Sequence, residues 1–384
     1  MSQFSTQRKI MISAGEASGD LHAAKLVKAL RQQDPAIEVA AMGAEQLRRA
    51  GAEILVDCRD IAVVGLVEVL THWSQIQAAL KTLKIALKDQ KPDLLILVDY
   101  VEFNLKLAAA AKELGIKVLF YVSPQVWAWR QGRVPKIGKV IDMMAVIFPF
   151  ETDIYEQNGV PVRYVGHPLA SEVAATKSRE SFRKAQKLDT QHPLIALLPG
   201  SRRSEVTRIL PVMLEAAERV AETLPHSQFL IAVADTLDSD WIQAFIKQHP
   251  KLDIKLLQGD TYNAVHAADS ALVASGTATL ETALLGTPMS IVYRVNGLSY
   301  QILKRMIKVD FIGLANIVAG RQVAPEFVQD YANPWLIALE VVKQVSNPPY
   351  RDDIIEGLKE VAEKLGEGGG TQKLAQLVFE LLDE

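Results

Sequence analysis

Two stretches in the second half of the chain carry residue types suited to holding a diphosphate. LLPGSRRSEV (197–206) sets Gly200, Ser201 and Arg202 between an apolar run and a helical pattern. Glycine lets the backbone approach a ligand, a helix N-terminus offers unpaired N–H groups, and an arginine can clamp an oxyanion through two bonds. ALVASGTATLE (271–281) repeats the design with Ser275, Gly276 and Thr277, and adds Glu281 about one turn into the helix. A carboxylate at that depth can accept two hydrogen bonds from a ribose diol. Together the loops suit a nucleotide diphosphate, and the lobe that holds them reads as a nucleotide-sugar donor half. The plainer alternatives are a β–α turn with a solvated arginine and a Thr-capped helix whose glutamate answers the helix dipole.

The first half has a different set. DLLILVDYVEFN (93–104) ends a buried run at Asp99, a candidate base for an attacking hydroxyl, with capping or ion pairing as the alternative. Asn104 either orients a substrate hydroxyl or belongs to the turn. SAGEASGD (13–20) reads as a sugar-facing turn: Gly15 and Gly19 permit close approach, Ser18 caps the helix and Glu16 accepts from hydroxyls, while Asp20 needs nothing beyond an early helix position. YVSPQVWAWRQGRVPKIGKV (121–140) brings Trp127, Trp129 and Arg130 beside Arg133, Lys136 and Lys139. That mixture fits an acceptor with a sugar ring and an anionic group, and equally an amphipathic helix with a basic solvated face. His167, in VGHP, is a candidate contact at a strand end, although a lone histidine is more often structural.

These loops need strand ends to carry them, and the chain supplies the strands. KIMISAG, IEVAAMG, DLLILVDY, KVLFYVSP, MMAVIFPF and VRYVGHP alternate with helical patterns in the first half, as do LIALLPGS, QFLIAVA, IKLLQG, SALVASG and MSIVYR in the second. Short apolar runs separated by amphipathic helices predict an α/β protein with parallel sheets and right-handed crossovers. The rhythm stops near residue 168 and restarts at Leu194, so two Rossmann-like lobes facing a cleft are expected, 1–168 for the acceptor and 169–333 for the donor. From 334 to 384 only helices are expected, packing back on an N-terminal lobe of the same or a neighbouring chain.

Composition narrows the function. With 45 acidic and 42 basic residues there is no overall field to attract nucleic acid. The single cysteine, Cys58, excludes an intrachain disulfide and fits a reducing cytoplasm. No dinucleotide fingerprint, P-loop or histidine–carboxylate metal motif is present, so neither cofactor nor metal is expected. The opening MSQFSTQRKIMIS lacks a signal-peptide core and no run is long enough to span a bilayer. The stretch 61–89 is too apolar for one helical stripe. Its Val67, Val69, Leu70 and Trp73, ahead of Lys81, Lys84 and Lys88, suit a monotopic membrane contact or a helix buried at an interface.

Taken in order, SAGEASGD, YVSPQVWAWRQGRVPKI, FPFE (148–151), VGHPL (165–169), LLPGSRRSEV, ASGTATLE and NIVAGR (316–321) resemble the lipid-A-disaccharide synthase family, inverting glycosyltransferases of the two-lobe GT-B type. The resemblance implies transfer from UDP-2,3-diacylglucosamine to 2,3-diacylglucosamine 1-phosphate, giving the β-1,6-linked disaccharide 1-phosphate and UDP. It implies Asp99 as base on the acceptor 6-hydroxyl, Arg202 on the departing diphosphate, Thr277 and Glu281 on UDP, and Asn316 in the donor site. It also implies a cytoplasmic protein peripheral on the inner face of the inner membrane, and a homodimer exchanging C-terminal segments. Two positions depart from the family pattern: Asp99 is followed by YVEFN without the usual proline, leaving Glu102 as a second candidate base, and Ala315 replaces a proline. Another UDP-sugar enzyme of this architecture, an N-acetylglucosaminyltransferase or a 2-epimerase, is an alternative, as is a non-catalytic membrane-associated UDP-sugar or lipid-binding protein.

Overall fold

The computed structural model describes residues 7–60, 73–129, 131–296 and 310–384. It divides into one unit of Met1–Pro168 with Gly368–Glu384 and a second of Leu169–Glu367. The first holds a seven-stranded sheet of β1 (Lys9–Ala14), β2 (Glu38–Gly43), β3 (Glu53–Asp57), β4 (Leu94–Val98), β5 (Lys117–Tyr121), β6 (Met143–Val146) and β7 (Val162–Tyr164), ordered β3-β2-β1-β4-β5-β6-β7. The second holds β8 (Leu194–Leu198), β9 (Gln228–Val233), β10 (Asp253–Gln258), β11 (Ser270–Ala274), β12 (Met289–Tyr293) and β13 (Glu326–Val328), ordered β10-β9-β8-β11-β12-β13. Neighbouring strands are parallel throughout, for example Ala14 beside Val98 and Leu198 beside Val273.

The central strands β4, β8 and β11 are buried over their whole lengths, because helices cover both faces of each parallel sheet. Their side chains therefore read as continuous apolar runs rather than alternating ones. Strand order reverses between β1 and β4 in the first sheet and between β8 and β11 in the second. At such a switch point the flanking loops diverge to opposite faces and leave a crevice at the carboxyl ends of the strands. SAGE and Asp99 occupy those ends in the first unit, and the Gly200 and Gly276 loops occupy them in the second.

The helical tail divides differently from the sequence expectation. Pro334–Ser346 and Pro348–Leu365 belong to the second unit: Ile337, Ala338 and Val341 join its core with Ile209, Leu210 and Met213. Only Gly370–Asp383 returns to the first unit. There Leu374, Leu377, Val378 and Leu381 pack with Ala23, Leu26, Val27 and Leu30 of the Ala17–Gln33 helix of the same chain. Gly370 begins this helix against the backbone of Val165 and Gly166, where a Cβ would come within 3.0 Å of the Gly166 carbonyl oxygen.

Candidate active site

In the second unit the two glycine loops line one cavity of about 750 Å³, together with Tyr262 and Glu281. That volume is within the range of small-molecule sites. Gly200 has φ +110 and Gly276 φ +151, conformations that a side chain at either position would strain. Gly276 is the N-cap of the Thr277–Leu284 helix, so Thr277 is the first helical residue rather than the cap, and its side chain is exposed at the cavity. Ser275 is tied from behind, its hydroxyl donating to the Ile312 carbonyl at 2.8 Å. Glu281 accepts from the Tyr262 hydroxyl at 3.2 Å, and burial holds its carboxyl above the usual range.

The Gly200 loop already holds an anion from its own chain. One oxygen of Glu205 accepts from the Ser201 and Arg202 backbone N–H groups, each at 3.3 Å, while the other pairs with the Arg202 guanidinium at 3.1 Å. Glu205 thereby closes the N-terminus of the Arg203–Thr223 helix as a capping box. The Arg202 side chain is 72% exposed, as a group that must reach a ligand requires.

Asn316 does not line this cavity. It is 0% exposed; its amide nitrogen donates to Ala324 O and Glu326 Oε1, and its oxygen accepts from Val323 N and Ala324 N. Glu326 in turn accepts from Ile312 N and Gly313 N, at 2.9 Å each, so Asn316 braces the segment that holds Ser275. Where the resemblance implies a donor contact, the structure gives Asn316 a bracing role three hydrogen bonds from Ser275, by way of Glu326 and Ile312.

In the first unit Asp99 follows β4 directly, at φ +50, and Tyr100 continues in the same left-handed region at φ +44. Two consecutive non-glycine residues there are strained and need external support. Asn104 supplies it: it is 0% exposed, its amide donates to the Asp99 carbonyl at 2.7 Å, and its oxygen accepts from the Ser13 hydroxyl at 2.6 Å. With no surface to offer a substrate, Asn104 is a clamp between the ends of β1 and β4, which corrects the acceptor-contact reading. Burial holds the Asp99 carboxyl above its ordinary value, opposed by the Tyr100 N–H. Glu102, by contrast, is 69% exposed and paired with Arg133.

The SAGEASGD turn also departs in detail. Gly15 is buried, and a Cβ there would collide with the Tyr100 ring, so this glycine makes room for a neighbour in the protein. Glu16, exposed, is the N-cap of the Ala17–Gln33 helix. Ser18 lies inside that helix and does not cap it. Gly19 meets only ordinary contacts. Asp20 is buried and accepts from Ala44 N, Gln46 N and Leu47 N, so it caps the next helix, Glu45–Arg49, across the fold. The sequence does not single out Tyr100, and it gives Asp20 an early helix position in place of this cross-fold cap.

His167 is buried against the Phe148 ring, with centroids 5.0 Å apart. Burial first, and His22 second, hold its imidazole down at about 4, so it is neutral at pH 7. Trp127 is buried, edge-on to Phe150. The Trp129 side chain and Arg130 lie outside the described residues, as do Val67, Val69 and Leu70. Trp73 is 50% exposed at the start of the Trp73–Gln90 helix, with the Lys106 ammonium 5.3 Å from its ring centre.

Two doubly wound parallel units, the second with a cavity lined by both glycine loops, are the GT-B fold. A solved UDP-GlcNAc 2-epimerase from Neisseria meningitidis, bound to UDP-GlcNAc, shares the fold at TM-score 0.62 and 13% identity over 97% of this chain and 100% of that one. A calicheamicin glycosyltransferase does so at TM-score 0.61 and 14% identity over 99% of both. The family model described as lipid-A-disaccharide synthetase matches residues 10–371. Lipid-A-disaccharide synthases of Trichlorobacter lovleyi and Geobacter sulfurreducens are each 46% identical to this chain over 98% of both chains, and that of Syntrophus aciditrophicus is 48% identical over 97%. The chain belongs to the lipid-A-disaccharide synthase family, and its activity is that of this glycosyltransferase of lipid A biosynthesis.

Proposed function

We propose that the chain joins UDP-2,3-diacylglucosamine to 2,3-diacylglucosamine 1-phosphate by a single inverting displacement that needs no metal. Asp99 takes the proton of the acceptor 6-hydroxyl, O6 forms a bond to the donor C1 as the C1–phosphate oxygen bond breaks, and UDP departs. Burial of Asp99 supports this role, because a carboxyl raised above its ordinary value is a stronger base once ionised. Glu102 is a poorer candidate, being solvated and committed to Arg133. Arg202 and the N-termini of the Arg203–Thr223 and Thr277–Leu284 helices balance the charge gathering on UDP, and Glu281 takes the ribose hydroxyls.

The observation that carries this reading is the meeting of Gly200, Arg202, Thr277 and Glu281 at one cavity. Among the described residues no helix is long and apolar enough to cross a membrane. We propose a peripheral contact with the inner face of the inner membrane through the 63–76 stretch, supported by the exposed Trp73 and by Lys81, Lys84 and Lys88 further along the same helix, and a homodimer as the assembled form. The test is UDP release and disaccharide formation from both acylated sugars, with and without chelator. Asp99→Ala should lower turnover by roughly two to four orders of magnitude while leaving UDP affinity nearly unchanged. Full turnover by that variant removes Asp99 from the reaction, an α-linked product removes inversion, and loss of activity with chelator removes metal independence.

A further inference from the structure

Tyr262 lines the donor cavity, and the proposed chemistry gives it no task. Its hydroxyl donates to Glu281 Oε1 at 3.2 Å. Both side chains are half-buried, and both line the cavity, so the tyrosine and the carboxylate it binds share one wall of the site. Glu281 is also the residue to which the ribose hydroxyls are assigned.

The turn that carries Tyr262 is fixed by the protein's own contacts. Gly259 at φ +73 and Asp260 at φ +55 turn the chain from β10 into the Thr261–Ala267 helix, and a non-glycine residue in that region needs support. Asn263, 4% exposed, provides it: its oxygen accepts from the Thr176 and Lys177 N–H groups at 2.8 Å each, and its amide donates to Thr176 Oγ1 at 3.0 Å and to Asp260 Oδ1. Lys177 also pairs with Asp260. Asp260 and Asn263 bracket Tyr262 in the chain, so its ring starts from a clamped backbone.

Glu281 needs such an anchor. It stands in the second turn of the Thr277–Leu284 helix on a long side chain that gives up much rotamer freedom when ordered. Burial disfavours its charged form, the Tyr262 hydroxyl counters this, and the like charge of Glu172 adds to the cost. Burial first, and the Glu281 charge second, push the Tyr262 phenol up to about 12, so it keeps its proton and donates at pH 7. A carboxylate offers about four acceptor directions, so one bond from Tyr262 leaves room for both hydroxyls of a ribose.

We propose that Tyr262 is the positioning residue for ribose recognition: by donating to Oε1 it holds the Glu281 carboxylate in the orientation that accepts from the diol, and so sets the preference for a ribonucleoside diphosphate over one lacking that diol. The inference rests on the donor-site reading of Glu281 given above.

The test is titration calorimetry of the full-length wild type, Tyr262→Phe, Glu281→Ala and the double variant, each with UDP and with 2′,3′-dideoxy-UDP. Tyr262→Phe keeps the ring and removes only the hydroxyl. The wild type should prefer UDP by at least about tenfold, the scale of losing charge-assisted hydrogen bonds. Tyr262→Phe should weaken UDP by roughly three to tenfold and change the dideoxy nucleotide by less than about twofold. Glu281→Ala lacks the group that Tyr262 positions, so adding Tyr262→Phe to it should change UDP affinity by less than about twofold. Equal weakening of both nucleotides by Tyr262→Phe would mean a packing role, unchanged UDP affinity would mean no role, and a further loss in the double variant would mean direct ligand contact; each overturns the assignment. Should Glu281→Ala fold poorly, the comparison of the two nucleotides in Tyr262→Phe decides alone. A wild type that binds both nucleotides equally would instead refute the ribose reading of Glu281.

Discussion

Replacing Asn104 with alanine tests whether the strained ends of β1 and β4 are what aim Asp99. The wild-type amide spans three backbone carbonyls and one hydroxyl: Asp99 O at 2.7 Å, Val98 O at 3.3 Å, Ser13 O at 3.4 Å and Ser13 Oγ at 2.6 Å. Alanine leaves the fully buried Ser13 hydroxyl without its acceptor and the Asp99 carbonyl without its closest donor. At about 1–3 kcal/mol for each buried group left unpaired, with partial relaxation, the cost is about 2–4 kcal/mol. For a unit of this size that lowers the melting temperature by roughly 5–15 °C. The second consequence is local. Asp99 and Tyr100 occupy the left-handed region at a cost of about 1–2 kcal/mol each, and the main-chain clamp opposing their relaxation is gone. Turnover measured well below the new melting temperature should therefore fall by roughly tenfold to a thousandfold, since small misplacements of a reacting group are costly. UDP affinity, measured calorimetrically, should hold. A variant that melts early but turns over normally would show that Asn104 positions nothing catalytic; one that loses UDP affinity would contradict its placement in the other unit.

Two further substitutions separate structural from binding roles in the second unit. Asn316→Ala removes an amide with four buried partners and should cost about 3–5 kcal/mol, read as a lower melting temperature, while UDP affinity of the folded protein changes less than about threefold; a tenfold loss of affinity at unchanged melting would mean direct ligand contact. Glu205→Gln removes the negative charge from the seat formed by Ser201 N, Arg202 N and the Arg202 guanidinium, so UDP should bind about three to tenfold more tightly by titration calorimetry, whereas weaker binding would mark Glu205 as a cap only.

Much of the architecture was readable because parallel central strands are covered on both faces. Runs such as LLILV at β4 and LIALL at β8 have to be apolar throughout, and a few such residues bounded by turns leave little choice of element. The two missed strands lack that signature. β3 and β13 are edge strands only partly buried, five and three residues long, and each begins with glutamate. The tail misled for another reason. An amphipathic helix displays which face it buries but not what covers it, so Pro334–Ser346 and Gly370–Asp383 look alike in sequence while packing on different units.

At the site, position along the chain was easier to read than the direction of each side chain. In sequence, Asn104 reads equally as a substrate contact or part of the turn after Asp99, and Asn316 is a donor contact only through the family resemblance, since an amide can serve either a substrate or the backbone. Only burial distinguishes the two, and both are fully enclosed. Asp20 is the reverse: a first-turn acid needing no explanation in sequence proves to cap the Glu45–Arg49 helix, accepting from the N–H of its N-cap residue Ala44, 24 residues later in the chain.

The switch points make this division of labour intelligible. A parallel sheet that reverses order opens one crevice at its carboxyl edge, so chemistry can be concentrated there while the strands behind it are selected for packing alone. The protein uses the opportunity twice, with different groups at each edge. The β8 and β11 ends present Arg202 and backbone N–H groups that already seat one carboxylate, Glu205, with Glu281 in the same cavity; the β1 and β4 ends present Glu16 and Asp99. Under the proposed reaction this asymmetry directs the diphosphate to one unit and leaves the other to activate a hydroxyl. The Gly15 and Tyr100 contact adds the steric part, because the ring fills the place a phosphate loop would leave open. The carboxylates of the first crevice, out of place in a phosphate loop, are what a hydroxyl-activating crevice requires.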